Sequence, residues 1–202
     1  MTECAPLICY TPISEGPKMY SCGRPLPGIM EVKILDPNEE GIGEVVVRGD
    51  NTMTGYYKNP QASKEAFTKD GWLRTGDLGQ LDEEGFLYIK GRCKTMLLGP
   101  SGQNIYPEEI EAKINNMPYV LESLVLQQED TRLVALICPD YNEVDADGLT
   151  REQLDEQMED ARKQVNSELA AYEQISIVKL YPHEFEKTPK KSIKRFLYTN
   201  MV

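Results

Sequence analysis

The feature that most limits the possible folds is a change of periodicity at Gly91-Arg92-Cys93-Lys94. Upstream, short β-rich runs alternate with turns built on Gly, Pro, Asn and Asp. Downstream, two stretches place apolar residues at helical spacing, with β-rich runs between and after them. A switch of period within one chain predicts two units rather than one continuous sheet. The expected fold class is α+β. Residues 1–93 form a small β-rich subdomain, and residues 94–202 form a compact two-layer α+β domain. Roughly a hundred residues is an ordinary size for such a domain.

Residues 1–30 are rich in Pro and Gly and read as loops laid over a scaffold. They do not read as the independent start of a domain, so the chain is expected to be the closing portion of a longer one. Glu31–Leu35 and Glu44–Arg48 are β-rich runs joined by a turn at 36–41, which predicts a hairpin. A short helix is expected around Ala62–Phe67 and a strand at Gly71–Arg74. A second hairpin is expected from Gln80-Leu81, the turn Asp82-Glu83-Glu84-Gly85, and Phe86–Ile89.

Beyond Lys94, Pro107 suits the first position of a helix, with Glu108 and Glu109 at the positive end of its dipole. Ile110, Ile114 and Met117 then line one face. Strands are expected at Ser123–Gln127 and Leu133–Cys138, joined by a turn at Glu129-Asp130-Thr131. Thr150 and Gln153 form a capping box. Leu154, Met158, Ala161, Val165, Leu169 and Tyr172 mark the buried face of the helix it opens. Ile175–Leu180 is a last strand, and Lys187–Arg195 is a basic tail.

A formal charge of −11 argues against a nucleic-acid partner and against docking on an anionic membrane surface. No apolar run approaches the ~20 residues that span a bilayer. The first residues show no secretory signal pattern. The five cysteines are odd in number and contain no Cys-x-x-Cys pair, and there is one histidine, so no zinc-type cluster is available. Free thiols in a reducing cytoplasm are the expectation.

Several residues carry chemistry. Asp77 follows a strand and enters a turn, where its two acceptor oxygens could take the paired hydroxyls of a ribose. The same Gly-Asp dipeptide also forms an Asx-turn in which the carboxylate bonds its own backbone. Arg92 could pair with a ribose oxygen or a phosphate, or simply cap a strand end. Lys94 alone is uninformative. Gly99-Pro100-Ser101-Gly102 permits close backbone approach, or is a plain hairpin tip.

Order and spacing add what these residues lack singly. Gly-Trp-Leu-Arg-Thr-Gly-Asp (71–77), Gly-Phe-Leu-Tyr-Ile-Lys-Gly-Arg-Cys-Lys (85–94) and Gly-Gln-Asn-Ile-Tyr-Pro-Glu-Glu-Ile-Glu (102–111) resemble the acyl-CoA synthetases of the adenylate-forming superfamily. The flavour is that of bacterial long-chain fatty-acid CoA ligases. The resemblance implies a two-step reaction of fatty acid, ATP with Mg²⁺, and CoA, run by this chain together with an upstream N-terminal domain. It implies that Thr2 meets ATP phosphate and Glu3 holds Mg²⁺, as the end of the family's Tyr-Gly-x-Thr-Glu motif. It implies that Asp77 and Arg92 contact AMP, that Lys94 is the hinge between adenylation and thioester formation, and that Gly102 lines the pantetheine tunnel.

The tail departs from the family pattern. Relatives carry an adenylation lysine within Thr-x-x-x-Lys-x-x-Arg, and aligning on Thr188 and Arg195 puts Ser192 in its place. Lys190 would share the face of Ser192 in an extended segment, and Lys191 the opposite face. Either could serve if the backbone turns. A solvated basic tail or a CoA phosphate contact are the alternatives. The chain on its own is expected to be inactive. Two other readings stand beside the CoA ligase: an enzyme that loads an acyl-carrier or peptidyl-carrier protein, and a non-catalytic binding or regulatory module that kept the fold.

Overall fold

The fold is that of a computed structural model, which describes residues 1–16, 18–128, 131–189 and 191–201. The chain divides into two compact units, Met1–Lys94 and Thr95–Val202.

The first unit opens with a two-stranded pair, β1 (Cys9–Tyr10) and β2 (Arg24–Pro25). An antiparallel sheet follows in the order β3 (Met30–Leu35), β4 (Gly43–Gly49), β5 (Leu73–Leu81) and β6 (Leu87–Arg92), with helix α1 (Pro60–Ala66) inserted before β5. Alternation decides which face is buried: Met30, Val45, Val47, Leu73 and Leu87 pack with Cys4 into one cluster. The expected first hairpin is present, with Val32 opposite Val47 and Ile34 opposite Val45. Trp72 takes the cations of Arg48 and Lys33 over its ring, at 4.5 and 5.5 Å.

One local expectation changes. Thr75-Gly76-Asp77 is not a turn after a strand; it lies inside the nine-residue strand β5. Gly76 takes φ +72°, and the pairing of β5 with both neighbours shifts register nearby, between Glu44 and Val46 and between Leu78 and Gly79. A glycine in the left-handed region is absorbed as a bulge when ladders on both sides continue past it.

The second unit begins with a small hairpin, β7 (Leu97–Leu98) and β8 (Asn104–Ile105), and helix α2 (Pro107–Ile114). Strands β9 (Val120–Gln127) and β10 (Leu133–Pro139) pair antiparallel. Of the turn expected between them, Glu129 and Asp130 lie outside the described residues. Helix α3 (Tyr141–Ala146), which periodicity did not reveal, follows, capped by the Asp140 carboxylate. Helix α4 (Arg151–Ser167) starts at the expected Thr150–Gln153 capping box. It then crosses to β11 (Ile175–Leu180), which pairs parallel with β10. Both helical stripes hold, but each helix stops early, so Met117, Leu169 and Tyr172 pack on the core from the segments that follow.

The sheet order is β11-β10-β9, which buries β10 on both faces. Leu133, Ala135 and Ile137 join Ile110, Ile114, Leu154, Met158 and Val165 on the helix side. Val134, Leu136 and Cys138 point to the other side, which the tail covers with Phe185 and Tyr198. Those two rings meet edge to face at 5.0 Å, and Tyr181 stacks on Phe185 at 5.1 Å. Among the described residues no helix is long and apolar enough to cross a membrane. All five cysteines are free.

Candidate functional site

In the first unit, Asp77 and Arg92 stand directly opposite each other in the β5–β6 register. The guanidinium of Arg92 donates to Oδ1 of Asp77, so the carboxylate is turned toward the neighbouring strand and not back onto its own turn. The pair is accessible: the Asp77 side chain is 28% exposed and that of Arg92 56%. Thr75 fixes the bulge beneath them. Its hydroxyl donates to the Val45 carbonyl at 2.8 Å and accepts the Asp77 N–H at 3.0 Å. Gly76 leaves room beside this, since a Cβ there would stand 3.5 Å from Nη2 of Arg92. Cys93 N–H then donates to the Gly76 carbonyl at 2.9 Å, which ties the end of β6 back to the bulge. Burial pushes the Cys93 thiol up, with Glu44 and Asp77 adding to it. Lys94 follows in an exposed turn at the end of the unit.

Thr2 and Glu3 lie in a single 3₁₀ turn, Thr2–Cys4, also in the first unit. Thr2 is exposed and Glu3 half-buried. The Glu3 carbonyl accepts the Met53 N–H at 2.8 Å, and its Oε1 accepts the Tyr56 hydroxyl at 3.3 Å. Asn51 donates through Nδ2 to the carbonyls of Cys4 and Leu7, both at 2.8 Å, stapling this segment to the loop after β4. Among the described residues no three His, Cys, Asp or Glu side chains gather as a cation cage. A single carboxylate does suit Mg²⁺, which keeps waters and takes its other ligands from phosphate oxygens.

In the second unit, Gly102 sits at the tip of the β7–β8 hairpin. The Gly99 N–H donates to the Gln103 carbonyl at 2.8 Å. Gly102 is exposed at φ +83°, and a Cβ there would meet nothing within 4 Å, so backbone conformation and not space selects glycine.

The tail is a turn and not an extended run. Thr188 N–H donates to the Ser192 carbonyl and Lys191 N–H to the Thr188 carbonyl, each at 2.8 Å. Lys191 is exposed in the left-handed region at φ +62°. Lys190 lies outside the described residues. The tail is also not simply a solvated run of cations: Lys187 pairs with Glu122 at 2.8 Å, and Lys194 with Glu186 at 3.1 Å.

Comparison with known proteins identifies the family. The family of AMP-binding enzymes matches residues 1–57, and its C-terminal domain matches residues 95–201, more than half of the chain. The chain belongs to the AMP-binding enzyme family. A sulfoacetate–CoA ligase of Cupriavidus necator is 42% identical over 134 residues, 64% of this chain and 26% of the relative. The long-chain-fatty-acid–CoA ligase FadD15 of Mycobacterium tuberculosis is 32% identical over 197 residues, 88% of this chain and 32% of the relative. The crystal structure of O-succinylbenzoate coenzyme A synthetase from Bacillus subtilis, in complex with AMP, superposes with a TM-score of 0.74 at 27% identity, covering 97% of this chain and 39% of that one. The chain thus spans between a quarter and a third of the length of these two curated relatives.

Sequence reading of this AMP-binding chain overlooked the acidic residues that hold its tail, Glu111 and Glu122. One signal was available. Pro107, Ile110, Glu111 and Ile114 are the buried positions of α2, and a glutamate inside an apolar stripe requires a partner.

Proposed function

We propose that this chain is part of an ATP-dependent acid–thiol ligase. Such an enzyme activates a carboxylic acid, here a long-chain fatty acid, as acyl-AMP and passes the acyl group to CoA. The carboxylate attacks the α-phosphate and pyrophosphate leaves; the CoA thiol then attacks the acyl carbonyl and AMP leaves. The observation that carries the reading is the accessible Asp77–Arg92 pair, placed beside a glycine bulge just before the boundary between the two units.

In this reading Asp77 accepts the ribose hydroxyls and Arg92 both orients that carboxylate and contacts the nucleotide. Thr2 meets ATP phosphate. Glu3, held by Tyr56 and the Met53 N–H, would hold Mg²⁺, which neutralises phosphate charge when bound. Lys94 is the hinge, and alternating orientations of the second unit bring first the tail and then the Gly102 loop to the nucleotide. Lys191 or Lys190 supplies the cation that the family lysine supplies elsewhere, and the hydrogen bonds of Thr188, Lys191 and Ser192 support Lys191 by freeing it from strict strand alternation. A fatty acid is favoured by the FadD15 relative; the sulfoacetate relative marks the competing substrate class.

Ser192 at the lysine position favours a second reading, a non-catalytic module with the same fold. One experiment separates the two. The full-length protein is assayed for acid-dependent ATP–pyrophosphate exchange with fatty acids of several lengths, sulfoacetate and aromatic acids. Exchange with long-chain acids alone is expected. Exchange with none of them overturns the ligase reading, and exchange with a short or aromatic acid alone overturns the substrate class.

A further inference from the structure

Two glutamates and one arginine fill the edge of the sheet in the second unit, and the chemistry above uses none of them. Strand β9 is an edge strand, so alternate residues turn their backbone groups away from β10. Such groups must find partners when covered. At Val125 side chains take both. Its N–H donates to Oε1 of Glu111 at 2.7 Å, and its carbonyl accepts from Nη1 of Arg195 at 3.1 Å. The ring closes where Nη2 of Arg195 donates to Oε2 of Glu111 at 2.5 Å. Glu108 lies 3.5 Å from the same nitrogen and accepts the Thr95 hydroxyl at 2.5 Å. The Arg195 side chain is 19% exposed and that of Glu111 10%. One guanidinium therefore joins α2, β9 and the C-terminal tail.

The other stem of the tail is tied to the same strand. Glu122 accepts the Phe185 N–H at 2.7 Å and pairs with the Lys187 ammonium at 2.8 Å. The turn from Thr188 to Ser192 thus hangs between Glu122 before it and Arg195 after it. Its own short hydrogen bonds set its shape, but they do not set its place on the domain.

We propose that Arg195 is a positioning residue that, with Glu111, clamps the tail to the edge of β9 and so fixes where the tail presents Lys191. The clamp stands on geometry alone; its catalytic consequence rests on the assignment of the tail to adenylation made above. Removing one partner of a covered charged pair strands the other, so the response should be large and local.

Amide hydrogen exchange on the 202-residue chain tests the clamp, with Arg195→Lys and Glu111→Gln compared to wild type. Lysine keeps the charge but cannot span Glu111 and the Val125 carbonyl together. The amide of Val125, which donates into the clamp, is expected to exchange at least ~10-fold faster in both variants while those of β10 keep their protection. Wild-type protection of the Val125 amide in both variants overturns the proposal. Equal loss across β10, or failure of both variants to fold, overturns it too, because the pair would then hold the whole domain.

In the full-length ligase, Arg195→Lys is expected to lower ATP–pyrophosphate exchange ~10-fold and to leave thioester formation from supplied acyl-AMP within about twofold. Equal loss of both half-reactions overturns the positioning role. Loss of Val125 protection with both half-reactions untouched leaves the clamp standing and overturns the assignment of the tail to adenylation.

Discussion

Asp77 and Arg92 are cross-strand partners, and the carboxylate of one is held by the guanidinium of the other. The pairing leaves the Asp77 side chain partly exposed. Loss of a charge-assisted hydrogen bond to a ligand costs about 1.5–3 kcal/mol, or about 10- to 100-fold in affinity. Asp77→Ala in the full-length protein is expected to weaken AMP binding by that factor. Arg92→Met, which frees the carboxylate but leaves it charged, is expected to cost less. Calorimetry on the two variants checks this, and AMP affinity unchanged in Asp77→Ala would exclude the ribose role.

The tail makes a sharper test because its chemistry departs from the family pattern. Lys191 is exposed and adjacent to Ser192, within a turn closed by Thr188. If a cation at this turn stabilises the transferring phosphoryl group, Ser192→Lys should raise the adenylation rate, and Lys191→Ala or Lys190→Ala should lower it. Removing one such preorganised partner costs about 100-fold or more in comparable sites. Pyrophosphate exchange that is indifferent to all three changes would sink the lysine proposal.

Acid–base behaviour offers a test that needs no substrate. Burial pushes the Glu111 carboxyl up from its ordinary 4.5 to about 7, with Arg195 and the Val125 N–H pulling it back down. A group whose folded value is raised binds its proton more tightly when folded. Its contribution to stability is therefore complete below about pH 4.5 and is lost as pH rises through about 7. The loss is on the order of 3 kcal/mol. Glu111→Gln cannot titrate, so the stability difference between wild type and variant is expected to change with pH between about 5 and 8 on the order of that amount, in the variant's favour as pH rises, on top of a constant cost of leaving Arg195 without its charged partner. Urea unfolding at several pH values reads the difference directly. A wild-type-minus-variant difference that is flat with pH would mean that the carboxyl titrates normally.

These tests fall on residues of unequal visibility. The hairpins, the capping box at Thr150 and the stripe Leu154–Val165 were legible because each rests on local chemistry: turn residues, a cap, a period. The Gly76 bulge reads as a turn in the sequence because a positive-φ glycine looks the same in a turn and in a strand; only the ladders on either side distinguish them. Helix α3 was missed because its six residues bury one side chain, Val144, so no period can emerge. The Glu111–Arg195 clamp joins positions 84 residues apart. Nothing local encodes such a pair beyond the oddity of an acid in an apolar stripe.

Lys94 closes the first unit, exposed in the turn that follows β6, while its neighbour Cys93 is anchored through its N–H to the Gly76 carbonyl at 2.9 Å. That hydrogen bond ties Cys93 to the first unit, and in the hinge role proposed above the pivot falls at Lys94. Proline fixes φ near −65° and also pushes the residue before it toward extended backbone. If Lys94 is that pivot, Lys94→Pro is expected to trap the full-length protein in one orientation, sparing one half-reaction and abolishing the other. The two are measured separately, by pyrophosphate exchange and by thioester formation from synthetic acyl-AMP. Equal loss of both would point to a folding defect, and retention of both would move the pivot elsewhere in the chain.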